Sequence, residues 1–182
     1  MTLPLIPDIG QRLEINFRKV LQLDDHSMNR RYTVIVRQAT VVDVDLVAPL
    51  FDAYRQFYRK PADLALARKF LLERFQHSES TIFLAIDESG AALGFVQLFP
   101  SFSSGAAARI LILNDLFVAP EARRAGIGRL LLRAAADYGK AVGAVRITLS
   151  TEVTNTSAQA LYEYEGWKLQ TDFCVYNLAL TT

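Results

Sequence analysis

Apolar and polar positions fall into short, readable runs from residue 33 onward. Thr33, Val34, Ile35 and Val36 form a β-branched run that predicts a strand over 33–37. Leu46, Val47, Leu50, Phe51, Tyr54, Phe57 and Tyr58 recur at helical spacing behind Asp43, a capping residue type, and predict a helix with one apolar face. Pro61 ends it, and residues 62–75 continue as a second helix with Leu66, Phe70 and Leu71 facing inward. Two strands, 81–86 and 92–99, flank a Glu88-Ser89-Gly90 turn. A polar loop at 100–105 leads to a long strand over 109–118, a turn at 119–125 and a helix over 126–142 that Gly143 ends. A strand at 145–150, a helix at 155–165 closed by Gly166, and two short strands at 167–170 and 173–180 finish the chain. A mixed sheet with helices on both faces buries such patterns, which places the chain in the α/β class.

Residues 1–32 follow no such rhythm. Pro4 and Pro7 bracket an apolar start, residues 13–17 alternate like a short strand, and 24–31 are polar. We read 1–32 as an arm or an extra strand laid on a single domain spanning 33–182, with Met28 as a second candidate start.

Composition narrows the function by exclusion. The 182 residues suit one domain with a proper core. Twenty basic and 19 acidic residues leave a net charge of +1, which gives no electrostatic reason to expect nucleic acid or an anionic membrane as partner. No apolar run reaches the roughly 18 residues that a membrane span needs. The single Cys174 has no partner for an intramolecular disulfide, so a cytoplasmic location is expected. Its apolar strand context reads as buried packing. His26 and His77 lack neighbours at ligand spacing, and neither a metal site nor a hydrolase triad is expected.

The chemistry concentrates where the strand ending in Asp115-Leu116-Phe117-Val118 runs through Ala119-Pro120-Glu121-Ala122-Arg123-Arg124-Ala125-Gly126-Ile127-Gly128 into an amphipathic helix. A helix N-terminus presents unpaired N–H groups and partial positive charge to an anion. Gly126 and Gly128 remove side chains that would keep a diphosphate from the backbone, and the arginines add charge. An ordinary βα turn with tight glycine packing would look the same. Neither the dinucleotide fingerprint nor the Gly-Lys-Ser/Thr of a triphosphate loop is present, so nicotinamide and ATP chemistry are not expected.

That turn resembles the pyrophosphate loop of the GNAT superfamily of N-acetyltransferases, Arg/Gln-x-x-Gly-x-Gly/Ala after a strand, with Arg123, Gly126 and Gly128 in place. A second signature, an asparagine, then Leu-Tyr-Glu and a glycine-aromatic ending, is matched by Asn155 through Leu161-Tyr162-Glu163-Tyr164-Glu165-Gly166-Trp167. The resemblance implies an acyl-CoA N-acyltransferase fold: a mixed, mostly antiparallel sheet of about seven strands, helices on both faces and a splayed central parallel pair. It implies acetyl-CoA as the cofactor, held by Leu116, Phe117, Val118, Arg123, Arg124, Ala125, Gly126, Ile127, Gly128 and Asn155. The N–H of Val118 would polarise the acetyl carbonyl, Tyr162 would serve as general acid, and Asn155 would cap its own helix as well.

The strand from Ile112 to Val118 resembles that of spermidine/spermine acetyltransferases, with Asp115 at the second acid of a pair and Asn114 replacing the first. Asp115 is therefore a candidate base or cation anchor, and Glu152 a lesser one. The first two helices would wall the acceptor pocket, with Tyr54 and Tyr58 as cation–π candidates and Phe57 as core. Arg55, Arg59 and Lys60 disfavour a polycation and favour a carboxylate-bearing acceptor. The expected partner is a small-molecule or peptide amine, and the C-terminal strands suggest a homodimer. A non-catalytic acyl-CoA-binding module is the alternative.

Overall fold

The computed structural model describes residues 18–25 and 30–180. Strand β1 (Arg18–Asp25) pairs with β2 (Arg30–Gln38), followed by α1 (Val44–Phe57), α2 (Leu64–Gln76), β3 (Thr81–Ile86), β4 (Ala92–Ser103), β5 (Ala108–Val118), α3 (Ile127–Ala141), β6 (Ile147–Thr148) and α4 (Thr156–Tyr164). The six strands form one sheet in sequence order. Every neighbouring pair is antiparallel except β5 and β6, which run parallel.

Opposite faces of the sheet take different helices. Phe83 and Val96 are register partners and share a face, on which the Phe83 ring meets Tyr138 of α3 at 5.6 Å. Phe95 points the other way and meets Phe51 of α1 at 6.1 Å, while Phe51 stacks on Phe70 of α2 at 5.2 Å. Phe83 and Phe95 are fully buried. Truncating either to alanine removes on the order of 3–5 kcal/mol.

Several expectations need correction. Asp43 does not cap α1. Its carboxylate accepts from Arg37 Nη1 and Nη2 at 2.8 and 2.6 Å and from the Thr40 N–H at 2.8 Å, so it ties β2 to the turn before the helix. Leu66 and Phe57 are about half exposed rather than core. The loop expected at 100–105 is largely strand, because β4 continues to Ser103 and pairs with Ala108. Part of the stretch read as an arm, Arg18–Asp25, is an edge strand; the expected strand at 13–17 and Met28 lie outside the described residues.

Among the described residues the sheet has six strands where about seven were expected, and the expected strands that do not form lie at its C-terminal side. The strand expected over 145–150 is paired only at Ile147 and Thr148. Residues 167–170 and 173–180 join no strand, and every residue from 168 to 180 is exposed, Cys174 included. These segments are apolar enough to predict strands but pair with none, and a strand without a ladder is not stable alone. Among the described residues no helix is long and apolar enough to cross a membrane.

Candidate active site

The parallel pair opens almost as soon as it forms. β6 meets β5 at Leu111 and Ile112, and from Leu113 to Val118 that side of β5 has no strand partner among the described residues. A bulge sits at this opening: Gln97 lies opposite Asp115 while Leu98 lies opposite Leu113, which leaves Asn114 as the extra residue on β5. Before the bulge, Leu111 donates toward β6, to Arg146 O at 3.0 Å. After it, Ala119 donates toward β4, to Leu93 O at 2.9 Å. Backbone polar groups alternate sides along a strand, so Leu116 and Val118 turn their N–H groups to the open side. Gly94 permits this close β4–β5 approach. A Cβ there would lie 2.6 Å from the Phe117 carbonyl oxygen and 3.2 Å from Val118 Cα.

The turn after β5 ends at Gly126, whose φ of 80° favours glycine, and α3 begins at the next residue. Arg124 also holds a positive φ, 64°. Arg123 folds back: its Nε donates to the Val118 carbonyl at 3.1 Å and its guanidinium lies 5.6 Å from the Phe117 ring. Ile127 is buried and anchors the start of α3, whereas Ala125 is half-buried. Gly128 also matters for packing within the chain. A Cβ there would meet Leu161 Cδ2 at 3.1 Å, so its missing side chain lets α4 pack against α3.

Four of the sequence candidates converge beside the open edge. The Tyr54 and Tyr58 rings lie edge-on at 5.1 Å, and Tyr54 is 6.4 Å from Phe117. Tyr54 Oη donates to the carbonyl of Asn114, the bulged residue, at 3.2 Å. Asp115 is only 3 % exposed, and burial pushes its carboxyl up to about 6, against hydrogen bonds with Tyr54 and Asn114 that act in the other direction. Tyr54 is held well above the usual phenol range, first by burial and then by the Asp115 charge. Tyr162 rises to about 12 through burial and then through Tyr58. Tyr58 is raised chiefly by burial; a hydrogen bond with Thr151 opposes this, and Glu152 and Asp115 add to it. Tyr54 and Tyr58 thus stand beside Asp115, and Tyr162 lies near enough to Tyr58 for its charge to act on it, with Thr151 and Glu152 next to Tyr58.

Asn155 caps α4, accepting from the Ala158 N–H at 3.3 Å, and its Nδ2 donates to Thr151 Oγ1 at 3.3 Å. Arg55 does not wait for an acceptor carboxylate: it donates to Asp52 Oδ1 at 3.0 Å and to the Asp63 carbonyl at 3.4 Å, pinning α1 to the start of α2. Arg59 and Lys60 are exposed. Sequence reasoning missed Gly94, Thr151 and Glu165. The Glu165 carboxylate pairs with Arg129 at 2.6 Å and Arg133 at 2.9 Å, fastening the end of α4 to α3. A glycine inside a strand pattern was the available signal for Gly94; Thr151 and Glu165 had none. A hollow of about 1350 Å³ bordered by Arg37, Arg109, Tyr138 and Val142 contains none of these candidates.

Residues 47–167 match the acetyltransferase (GNAT) family. An uncharacterized N-acetyltransferase of Bacillus subtilis (strain 168), YhfO, is 48% identical over 143 residues, covering 79% of this chain and 95% of that protein. The crystal structure of a probable acetyltransferase superposes with a TM-score of 0.76 at 43% identity, over 81% of this chain and 98% of that one. An aminoglycoside N-acetyltransferase solved in complex with CoA has the same fold, with a TM-score of 0.69 at 20% identity over 83% of this chain and 98% of that one.

Proposed function

Because the chain belongs to the acetyltransferase (GNAT) family, we propose that it transfers an acetyl group from acetyl-CoA to a primary amine of a small molecule, amino acid, polyamine or peptide, by direct transfer in a ternary complex. The observation that carries this reading is the convergence of Tyr54, Tyr58, Asp115 and Tyr162 beside a β5 edge that has unpartnered N–H groups and a helix N-terminus at its end.

The open edge and the turn fit the coenzyme. Leu116, Phe117 and Val118 offer a strand edge to an amide-bearing arm, as an added strand would use it. Arg124, Ala125, Gly126, Ile127 and Gly128 would bring the α3 N–H groups to a diphosphate, and Arg123 and Asn155 complete the residues we assign to the coenzyme. Bound there, the coenzyme supplies a thioester-activated acetyl group. The Val118 N–H, turned to the open side of β5, would stabilise an oxyanion there. Tyr162, raised to about 12, remains protonated at neutral pH and holds a proton for a leaving thiolate. Asp115, with its carboxyl near 6, is ionised at pH 7 and draws a proton from the acceptor ammonium through water on the Tyr54 side. With Arg55 engaged by Asp52, the carboxylates of Asp115 and Glu152 beside the tyrosines favour a cationic amine, while Arg59, Lys60 and Arg123 nearby disfavour a polycation. The reading includes a cytoplasmic homodimer.

Isothermal titration with acetyl-CoA, followed by a free-thiol assay against a panel of amines, tests it. Binding with thiol release on one amine class supports transfer and identifies the acceptor class. Binding without release on any amine supports a regulatory coenzyme-binding module, and absence of binding overturns the reading.

A further inference from the structure

One polar side chain interrupts the apolar middle of β4. Gln97 stands between Phe95-Val96 and Leu98-Phe99 and is as fully buried as Phe95 and Val96. Its Nε2 donates to Ser80 Oγ, just ahead of β3, at 2.7 Å. Its Oε1 receives no hydrogen bond, and it is the only buried side-chain oxygen among the described residues in that condition. A dry acceptor without a donor opposes folding, and native cores hold few of them.

The neighbouring strand supplies a donor for it. Gln97 and Asp115 are register partners across β4 and β5, so both side chains leave the sheet on the face that carries Phe95 and meets α1. Opposed Cβ atoms in such a ladder stand roughly 4.5–5.5 Å apart. β3 and β5 flank β4, so an amide whose Nε2 is engaged on the β3 side leaves Oε1 to serve the β5 side. Asp115 has donors for its ionised form in Asn114 Nδ2, at 3.3 Å, and Tyr54. Once protonated it also holds an O–H, which needs an acceptor. We propose that Gln97 is a positioning residue for acetyl transfer. When Asp115 takes the proton of the acceptor ammonium, an N–H bond breaks, an O–H bond forms on the carboxyl, and that O–H donates to Gln97 Oε1.

Gln97 then holds the proton between its removal from the amine and its release to solvent. Burial already pushes the Asp115 carboxyl up to about 6, and an acceptor reserved for the neutral form acts in the same direction. The ionisable groups around Asp115 are Tyr54 from α1, Tyr58 just beyond it and Tyr162 from α4, with Glu152 beside Tyr58. All three tyrosines are raised and stay neutral around pH 6. Arg55 of α1 is held by Asp52, Arg59 and Lys60 are exposed, and Arg123 lies against Phe117. β4 and β6 carry no ionisable side chain. The catalytic role of the pair rests on the acetyl-transfer reading; the hydrogen bond itself does not.

The test compares the wild type with Gln97→Met, which keeps the side chain's length and removes its acceptor. The acidic limb of the transfer rate should move down by about one pH unit, a tenfold loss of proton affinity at Asp115. The same displacement should appear in urea unfolding followed against pH, which needs no turnover. An unmoved limb overturns the proposal, and so does one displaced upward, since that is the effect of losing a donor to the carboxylate. If Gln97→Met fails to fold, the wild type decides by NMR. The Gln97 side-chain amide resonance should titrate near pH 6 and lie flat in Asp115→Asn; a resonance that is flat in the wild type overturns the proposal. A titrating amide in a protein that binds no acetyl-CoA keeps the hydrogen bond and sinks the acetyl-transfer reading. Turnover with a flat resonance does the reverse.

Discussion

Replacing Asp115 with asparagine should make the protein more stable at neutral pH while impairing it as a catalyst. The carboxyl rises from 3.8 to about 6 because burial opposes its charge. A shift of roughly 2 units corresponds to about 3 kcal/mol of differential proton affinity between folded and unfolded chains. The folded form binds the proton more tightly, so this contribution is fully present below the unfolded value near 3.8. It is lost as pH rises through about 6, and above that pH the wild type carries the whole penalty of a buried charge. Asparagine has nearly the same shape and does not ionise. Asp115→Asn should therefore gain up to about 3 kcal/mol above pH 6, or roughly 6–12 °C in Tm for a chain of this size, with little change below pH 4. Urea unfolding followed by the fluorescence of Trp167 from pH 4 to 8 measures the difference between the two proteins, in which all other titrations cancel. Parallel stability curves would refute the argument that Asp115 is a charge held against its environment. In the same protein the acidic limb of the rate profile near pH 6 should vanish, since the group that titrates there is gone.

Tyr162→Phe should lower kcat by roughly 10- to 100-fold with Tm unchanged, because only a hydroxyl is removed from a half-buried ring; an unaltered rate across the pH range excludes Tyr162 as the acid. Gly126→Val forces a β-branched residue into a positive φ, so coenzyme affinity measured by calorimetry should fall at least tenfold, and equal affinity would exclude the turn as the diphosphate site. Gly94→Ala should cost about 1–3 kcal/mol in chemical unfolding and weaken coenzyme binding, because its methyl group meets the Phe117 carbonyl; unchanged values for both would mean that β5 can shift freely there.

The elements legible in the sequence were those set by local pattern. The apolar run at 81–86 and the β-branched run at 33–37 are visible without a partner, and the structure places β3 at Thr81–Ile86 and β2 across Arg30–Gln38. Helix faces were read less well at their ends. Leu66 and Phe57 sit where α1 and α2 run past the core, and helical spacing alone does not show where the sheet beneath them stops. The grouping of Tyr54, Tyr58, Asp115 and Tyr162 followed from the resemblance, since three elements far apart in the chain contribute to it. What the sequence concealed depends on pairing between strands. The bulge at Asn114 is a relation between β4 and β5, the approach at Gly94 exists only against Phe117, and Glu165 acquires its partners only when α3 and α4 meet. The segment 173–180 is apolar enough to predict a strand, yet it joins no strand, because apolar character does not name the neighbour a ladder needs.

The extra residue on β5 acts as a phase shift in the strand's wiring. Upstream of Asn114 the groups on the β6 side belong to one parity of residue; downstream, the groups on that now open side belong to the other. The identity of the side chain at this position matters little to that arithmetic, but its presence matters a great deal. Shortening the strand by this one residue would exchange the roles of every backbone group beyond it, turning the Val118 amide toward β4 and leaving the groove lined by its neighbours' carbonyls and amides in the wrong order. Length, at this point in the chain, is a functional property in its own right.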